Sequence, residues 1–231
     1  MDDTPGGKLG GRPLHFILLC DCSSSMSGLK IQSLNQAITN ALEAMKQEAK
    51  SRPSNPVLVR VIVFSSGAQW HVSQATPIEN LKWTDMHASG STAMGQALRL
   101  LAEQMDSSKM PDRGLPPVLV LVSDGQPTDD FNAGLADLMA KQWGKRAIRI
   151  SIGIGNDADM GVLQKFMGNT ELSPFVAHNA DQLTTLIHWA STVVVNSAIK
   201  PPSGVANSHN GAASTQQYIP PPSTPGGPDI W

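Results

Sequence analysis

The chain has 231 residues, 40% of them hydrophobic, and its 17 Lys and Arg against 19 Asp and Glu leave a formal net charge of −2. That length suits one α/β domain with an additional tail, and the charge offers no basic excess to neutralise phosphates, so nucleic acid is not an expected partner. No apolar run approaches the roughly 18 residues of a bilayer span, and Met1 to Gly11 lacks the apolar centre of a secretory signal, so the expectation is a cytoplasmic protein without a membrane partner.

The first element is the run Leu14 to Cys20, a short continuous apolar stretch bounded by Gly-Gly-Arg-Pro before it and the polar cluster Asp21-Cys22-Ser23-Ser24-Ser25 after it. It reads as a buried strand breaking into a loop. Cys20 and Cys22, the only cysteines, lie two apart at that strand end, a poor arrangement for a disulfide and too few thiols for a zinc site. Leu29, Leu34, Ile38, Leu42, Met45 and Ala49 then recur near helical spacing, predicting an amphipathic helix that ends near Ser51-Arg52-Pro53. Val57 to Phe64 reads as a second buried strand. Ala68 to Ala75, joined to it by Ser65-Ser66-Gly67, reads as a more exposed antiparallel edge.

Further along, the pattern predicts a helix over Ala93 to Met105, a strand over Val118 to Val122 and a helix around Asp130 to Trp143. A strand over Ala147 to Ile152 follows, then a short helix near Met160 to Met167, a strand at Phe175 and Val176, and a helix from Asp181 to Val195. Strands alternating with helices argue for an α/β, three-layer, doubly wound fold: a six-stranded, mostly parallel sheet with one antiparallel edge strand. From Lys200 the composition turns to Pro, Gly, Ser, Asn and Gln, which cannot bury enough apolar surface to order itself. The expected division is a flexible N-terminus over 1–12, a folded domain over 13–199 and an extended or disordered tail over 200–231, in which Thr215 and Thr224 are accessible hydroxyls suited to phosphorylation.

Ligands in open sheets of this kind sit beyond the carboxyl ends of strands where the strand order reverses. Asp21, Ser23 and Ser25 place a carboxylate and two alternate hydroxyls at one such end. Hard divalent cations such as Mg²⁺ take near-octahedral oxygen ligation at about 2.0 to 2.1 Å, so three donors are too few and the rest of the chain must add more. Gly90-Ser91-Thr92 brings a hydroxyl to a helix start, where capping is its ordinary use, and Ser123-Asp124-Gly125 brings a carboxylate to the end of the Val118 to Val122 run. Taken together, Asp-x-Ser-x-Ser, then Thr, then Asp resembles the metal-ion-dependent adhesion site of the von Willebrand factor type A domain, here Asp21, Ser23, Ser25, Thr92 and Asp124, with the resemblance running over roughly residues 13 to 196.

That resemblance implies neighbouring strands ending at Cys20 and Val122, a bound Mg²⁺ or Mn²⁺, and a last coordination position filled by an Asp or Glu of a protein partner. Two carboxylates against a dication leave such a site near neutral. It implies an interaction module rather than an enzyme, in keeping with the lack of a general base near these residues. Within the family the chain looks most like the bacterial tellurium-resistance (TerY-like) type, which implies work beside a Ser/Thr kinase and a metal-dependent protein phosphatase in stress signalling. An adaptor to a AAA-type ATPase, as in chelatase-like systems, is the alternative, and a metal-dependent phosphoesterase a more distant one.

Other patterns carry less. Ser27-Gly28-Leu29-Lys30 matches the Ser-x-x-Lys of penicillin-recognising enzymes without the companion Ser-Asp-Asn and Lys-Thr-Gly, so Ser27 reads as a helix-start residue. Gly153-Ile154-Gly155-Asn156-Asp157-Ala158 lacks the acidic residue that a dinucleotide site places about 20 positions on, and reads as a strand-end turn. An aspartyl phosphotransferase would want a second carboxylate where Ser23 stands. The six histidines show no ligand spacing: His87 reads as a solvated loop residue, His178 as a strand end and His188 as a helix face.

Overall fold

The computed structural model describes residues 11–50, 55–110 and 114–194. The expected tail over 200–231, with Thr215 and Thr224, and all but the last two residues of the expected N-terminal stretch 1–12 lie outside the described residues. In chain order the elements are β1 (Leu14–Asp21), α1 (Leu29–Lys50), β2 (Val57–Phe64), β3 (Ala68–Pro77), α2 (Met94–Gln104), β4 (Val118–Ser123), α3 (Phe131–Ala140), α4 (Gln142–Arg146), β5 (Ile148–Ile154), α5 (Met160–Met167), β6 (Phe175–Ala177) and α6 (Ala180–Trp189).

The strands form one sheet in the order β3-β2-β1-β4-β5-β6, parallel throughout except for β3 against β2. All residues of β1 and β4 are buried, as continuous apolar strands must be when helices cover both faces. Phe16, Leu18 and Cys20 point into a core shared with α1 and α6, while Ile17 and Leu19 point into a second core shared with α2, α3 and α5. The period of two along β1 therefore builds both cores at once. In α1, Ile31, Leu34, Ile38, Leu42 and Met45 make the buried stripe that seats it on the sheet.

The strand order reverses at β1: the chain goes out through β2 and β3 on one side and returns to the other through β4, β5 and β6. Cys20 pairs with Val122, so Asp21 and Ser123 leave the sheet side by side. Packing of α2 on α3 fixes what surrounds that point. A Cβ on Gly134 would overlap the Gly95 backbone, and one on Gly95 would overlap the Asp130 carbonyl, so the start of α2 lies directly against the segment leading from β4 into α3.

The structure differs from the sequence reading in two elements. The helix expected from Asp181 to Val195 is α-helical over Ala180–Trp189 and runs on as a π-helix over Ala190–Val194. The helix expected around Asp130 to Trp143 is two helices, because Lys141 is extended and restarts the chain as α4. This turn sends Trp143 into the core at 2% exposure, and Gly144 packs so closely on the Leu138 carbonyl that no side chain fits there. Among the described residues no helix is long and apolar enough to cross a membrane.

Candidate functional site

Asp21 ends β1 with its side chain buried. The Ser23 N–H donates to its Oδ1 at 2.8 Å, the local turn an Asp makes with its own following backbone. The Ser123 hydroxyl, arriving from β4, donates to Oδ2 at 2.5 Å, within the range of a hydroxyl bound to a carboxylate. Ser23 Oγ lies 2.9 Å from Ser25 Oγ, and the Ser25 hydroxyl donates to Asp124 Oδ1 at 2.7 Å. Lys30, in the first turn of α1, donates to Asp124 Oδ2 at 2.7 Å.

Thr92 is not the helix cap its position suggested. The capping residue of α2 is Ala93, which makes no side-chain cap, and Asp129 supplies the missing acceptors: its two oxygens take the N–H groups of Gly95 and Gln96, each at 2.8 Å. The Thr92 backbone is clamped to Thr128, N–H to Oγ1 at 3.1 Å and carbonyl to N–H at 2.9 Å. Its Oγ1 lies near Gly125, just past the end of β4. A Cβ on Gly125 would stand 3.8 Å from both Thr92 Oγ1 and Ser25 Oγ, so the glycine leaves open the space those two oxygens border. The loops carrying the donors are tied together: Ser24 N–H donates to the Gly90 carbonyl at 2.9 Å, and Ser89 N–H to that of Cys22 at 2.7 Å. Asn35, buried on α1, bonds both backbone groups of Met86 and so fixes the segment that leads to Thr92.

Burial pushes the Asp21 carboxyl above its ordinary range; hydrogen bonds from Ser123 and Ser23 offset part of this, and the nearby Asp124 charge adds to it. Asp124 is neutralised by Lys30, whereas among the described residues no cationic side chain pairs with Asp21. The donors gathered here are two carboxylates and hydroxyls, all hard oxygen, and among the described residues no three His, Cys, Asp or Glu cluster as a metal site. Cys22 is no competitor, since burial, and then the Asp21 charge, push its thiol up to about 12. His87 is exposed in its loop. A hard divalent cation, which relieves an uncompensated buried carboxylate and takes neutral oxygens beside it, fits this donor set.

The other patterns take their plainer readings. The Lys30 ammonium is bound to Asp124, and Gly155, at φ +75°, is the turn closing β5, its N–H donating to the Ala177 carbonyl. Sequence reasoning missed Ser123, Lys30 and Asp129. Ser123 stood within the fragment Ser123-Asp124-Gly125 and could have been flagged as one more hydroxyl at a strand end; Lys30 and Asp129 act across the chain and carried no local signal.

A family model described as von Willebrand factor type A domain matches residues 16–189. Among curated proteins, the chain is 29% identical over 126 residues to human inter-alpha-trypsin inhibitor heavy chain H4, an alignment covering 50% of this chain and 13% of that protein. Among solved structures, the ArnB paralog VWA2 from Sulfolobus acidocaldarius superposes with a TM-score of 0.58 at 19% identity, covering 77% of this chain and 44% of that one. A von Willebrand factor type A protein from Catenulispora acidiphila gives 0.59 at 17%, covering 78% and 42%. Proximal thread matrix protein 1 from the mussel byssus, solved with a zinc-occupied MIDAS motif, gives 0.57 at 16%, covering 80% and 46%. Likeness at these identities establishes the fold, and the chain spans a small part of the curated relative and under half of each solved chain.

Proposed function

We propose, on the premise that this chain belongs to the von Willebrand factor type A domain family, that it is a divalent-cation-dependent protein-interaction module. In this reading Asp21, Ser23, Ser25, Thr92 and Asp124 form a metal-ion-dependent adhesion site for Mg²⁺ or Mn²⁺. Asp21 and Asp124 supply charge, the three hydroxyls supply neutral oxygens, and the cation offers its remaining position to an Asp or Glu of the partner. The observation that carries the reading is the unbroken run of contacts from Ser123 through Asp21, Ser23 and Ser25 to Asp124, with the Thr92 hydroxyl facing the same space across Gly125. A solved relative by fold with zinc in its MIDAS motif supports it.

Recognition suits these residues better than catalysis, because the site's carboxylates are both engaged. Asp21 holds Ser23 and Ser123, and Asp124 holds Ser25 and Lys30, so neither stands free to activate water. The setting we favour is the bacterial tellurium-resistance type: a cytoplasmic domain over 13–199 working with a Ser/Thr kinase and a metal-dependent protein phosphatase, and a tail phosphorylated at Thr215 and Thr224. The kinase and the phosphatase follow from the family resemblance, and the two threonines from their place in a segment rich in Pro, Gly and Ser.

Titration calorimetry with Mn²⁺ and Mg²⁺, followed by affinity capture from the host with and without chelator, tests the proposal. Wild type should bind cation and retain partners only without chelator, and Asp21→Ala should lose both. Undiminished cation affinity in Asp21→Ala would refute the site. Phosphoester turnover that disappears in the same variant would overturn the choice of recognition over catalysis.

A further inference from the structure

Asp124 already has a positive charge against it, supplied by its own chain. Gly28, at φ +79°, turns the loop into α1, and two residues later Lys30 delivers its ammonium to Asp124 Oδ2 at 2.7 Å. The pair is withdrawn from water, with side-chain exposures of 13% for Lys30 and 0% for Asp124. An ion pair in that setting is not one of the weak surface pairs, because losing either member leaves a buried charge unmatched. Asp21, in the same cluster, has hydroxyl and N–H donors but no paired cation among the described residues. The two carboxylates are therefore unequal: Asp124 is matched by a cation of its own chain, and among the described residues Asp21 is not.

We propose that Lys30 is a resident counter-cation of the site, holding Asp124 in position before a divalent cation arrives and competing with that cation for the same carboxylate afterwards. This rests on the cation-site reading above and refines it. Counting Asp21 and Asp124 as −1 each and Lys30 as +1, the cluster presents a net charge of −1, not −2, to an incoming cation. Divalent affinity is held down accordingly, and the loaded site is left at +1, which draws an acidic group more strongly than a neutral site does.

The test is Mn²⁺ binding to the full chain, by calorimetry and by electron paramagnetic resonance of free Mn²⁺, in wild type, Lys30→Met, Lys30→Gln and Lys30→Arg. Lys30→Met and Lys30→Gln should bind about five- to tenfold more tightly than wild type, while Lys30→Arg, which keeps the charge, should stay within about twofold. In thermal melts, metal-free Lys30→Met should unfold below wild type, and saturating Mn²⁺ should raise its Tm by more than it raises that of wild type. Should Lys30→Met not fold without metal, Lys30→Gln, which keeps a polar donor in place of the ammonium, carries the measurement. Affinity in the Met and Gln variants equal to or weaker than a measurable wild-type affinity overturns the role of Lys30 and leaves the cation site standing. Absence of Mn²⁺ binding in wild type and every variant overturns both.

Discussion

Replacing Asp21 with Asn removes one charge from the cluster while leaving its shape in place. Asn has the size of Asp, so no cavity opens at this buried position. Its carbonyl oxygen can keep the Ser23 N–H, and its amide can donate to Ser123 Oγ, whose hydroxyl is free to rotate away. In the metal-free protein the charged form of Asp21 is disfavoured: its folded carboxyl is raised by burial, so the folded state binds a proton more readily than the unfolded one. Stability contributed by that group is present at low pH and lost as pH rises past the ordinary carboxylate value. Asn escapes this loss, against which stands the exchange of two charge-assisted hydrogen bonds for neutral ones, each weaker by about 1 kcal/mol. These opposing terms should leave the metal-free variant within about 2 kcal/mol of wild type at neutral pH. Cation binding should change far more. A carboxylate and a dication about 4 Å apart attract by roughly 8 kcal/mol at an effective dielectric of 20, so even after the cation's own desolvation the loss should exceed about 3 kcal/mol, more than a hundredfold in affinity. Calorimetry with Mn²⁺ beside urea denaturation without metal measures both quantities. An Asn variant that binds Mn²⁺ like wild type, or that is crippled before metal is added, would show that Asp21 is a structural acceptor and not a charge held for a cation.

Thr92→Val keeps the shape and removes the hydroxyl; because Asp129 and not Thr92 caps α2, the melting temperature should hardly move, while Mn²⁺ affinity should drop about tenfold in calorimetry. Gly134→Ala should force α3 off α2 and destabilise by about 2 kcal/mol or more in urea denaturation, since its Cβ would overlap the Gly95 backbone. Acid should weaken the fold through His15, buried on β1 with both ring nitrogens lacking a partner and its pKa driven from 6.5 to about 4, first by burial and then by the Arg60 charge. The unfolded imidazole takes its proton first, so stability is complete above pH 6.5 and is lost as pH falls toward 4, by about 3 kcal/mol at most. Urea midpoints over that range should fall in wild type and stay flatter in His15→Leu.

Strand and helix identities were legible because burial imposes a period on the sequence. The apolar runs from Leu14 and from Val118 are β1 and β4, and the 3.6-residue recurrence from Leu29 to Ala49 is α1. The break at Lys141 was not legible, since an apolar stripe persists across it and only the seat waiting for Trp143 turns the chain. Within the cluster, Asp21, Ser23 and Ser25 are grouped by adjacency alone, a fact any reader of the chain can see. Which partner each side chain meets was decided elsewhere: Lys30 reaches Asp124 across 94 positions, and Ser123 reaches Asp21 across 102. Composition and periodicity record how far each residue is withdrawn from water, and that is a property of one residue and its near neighbours. Pairing of charges and hydroxyls depends on which strand ends the sheet order sets side by side, and that order exists only once the whole chain has folded.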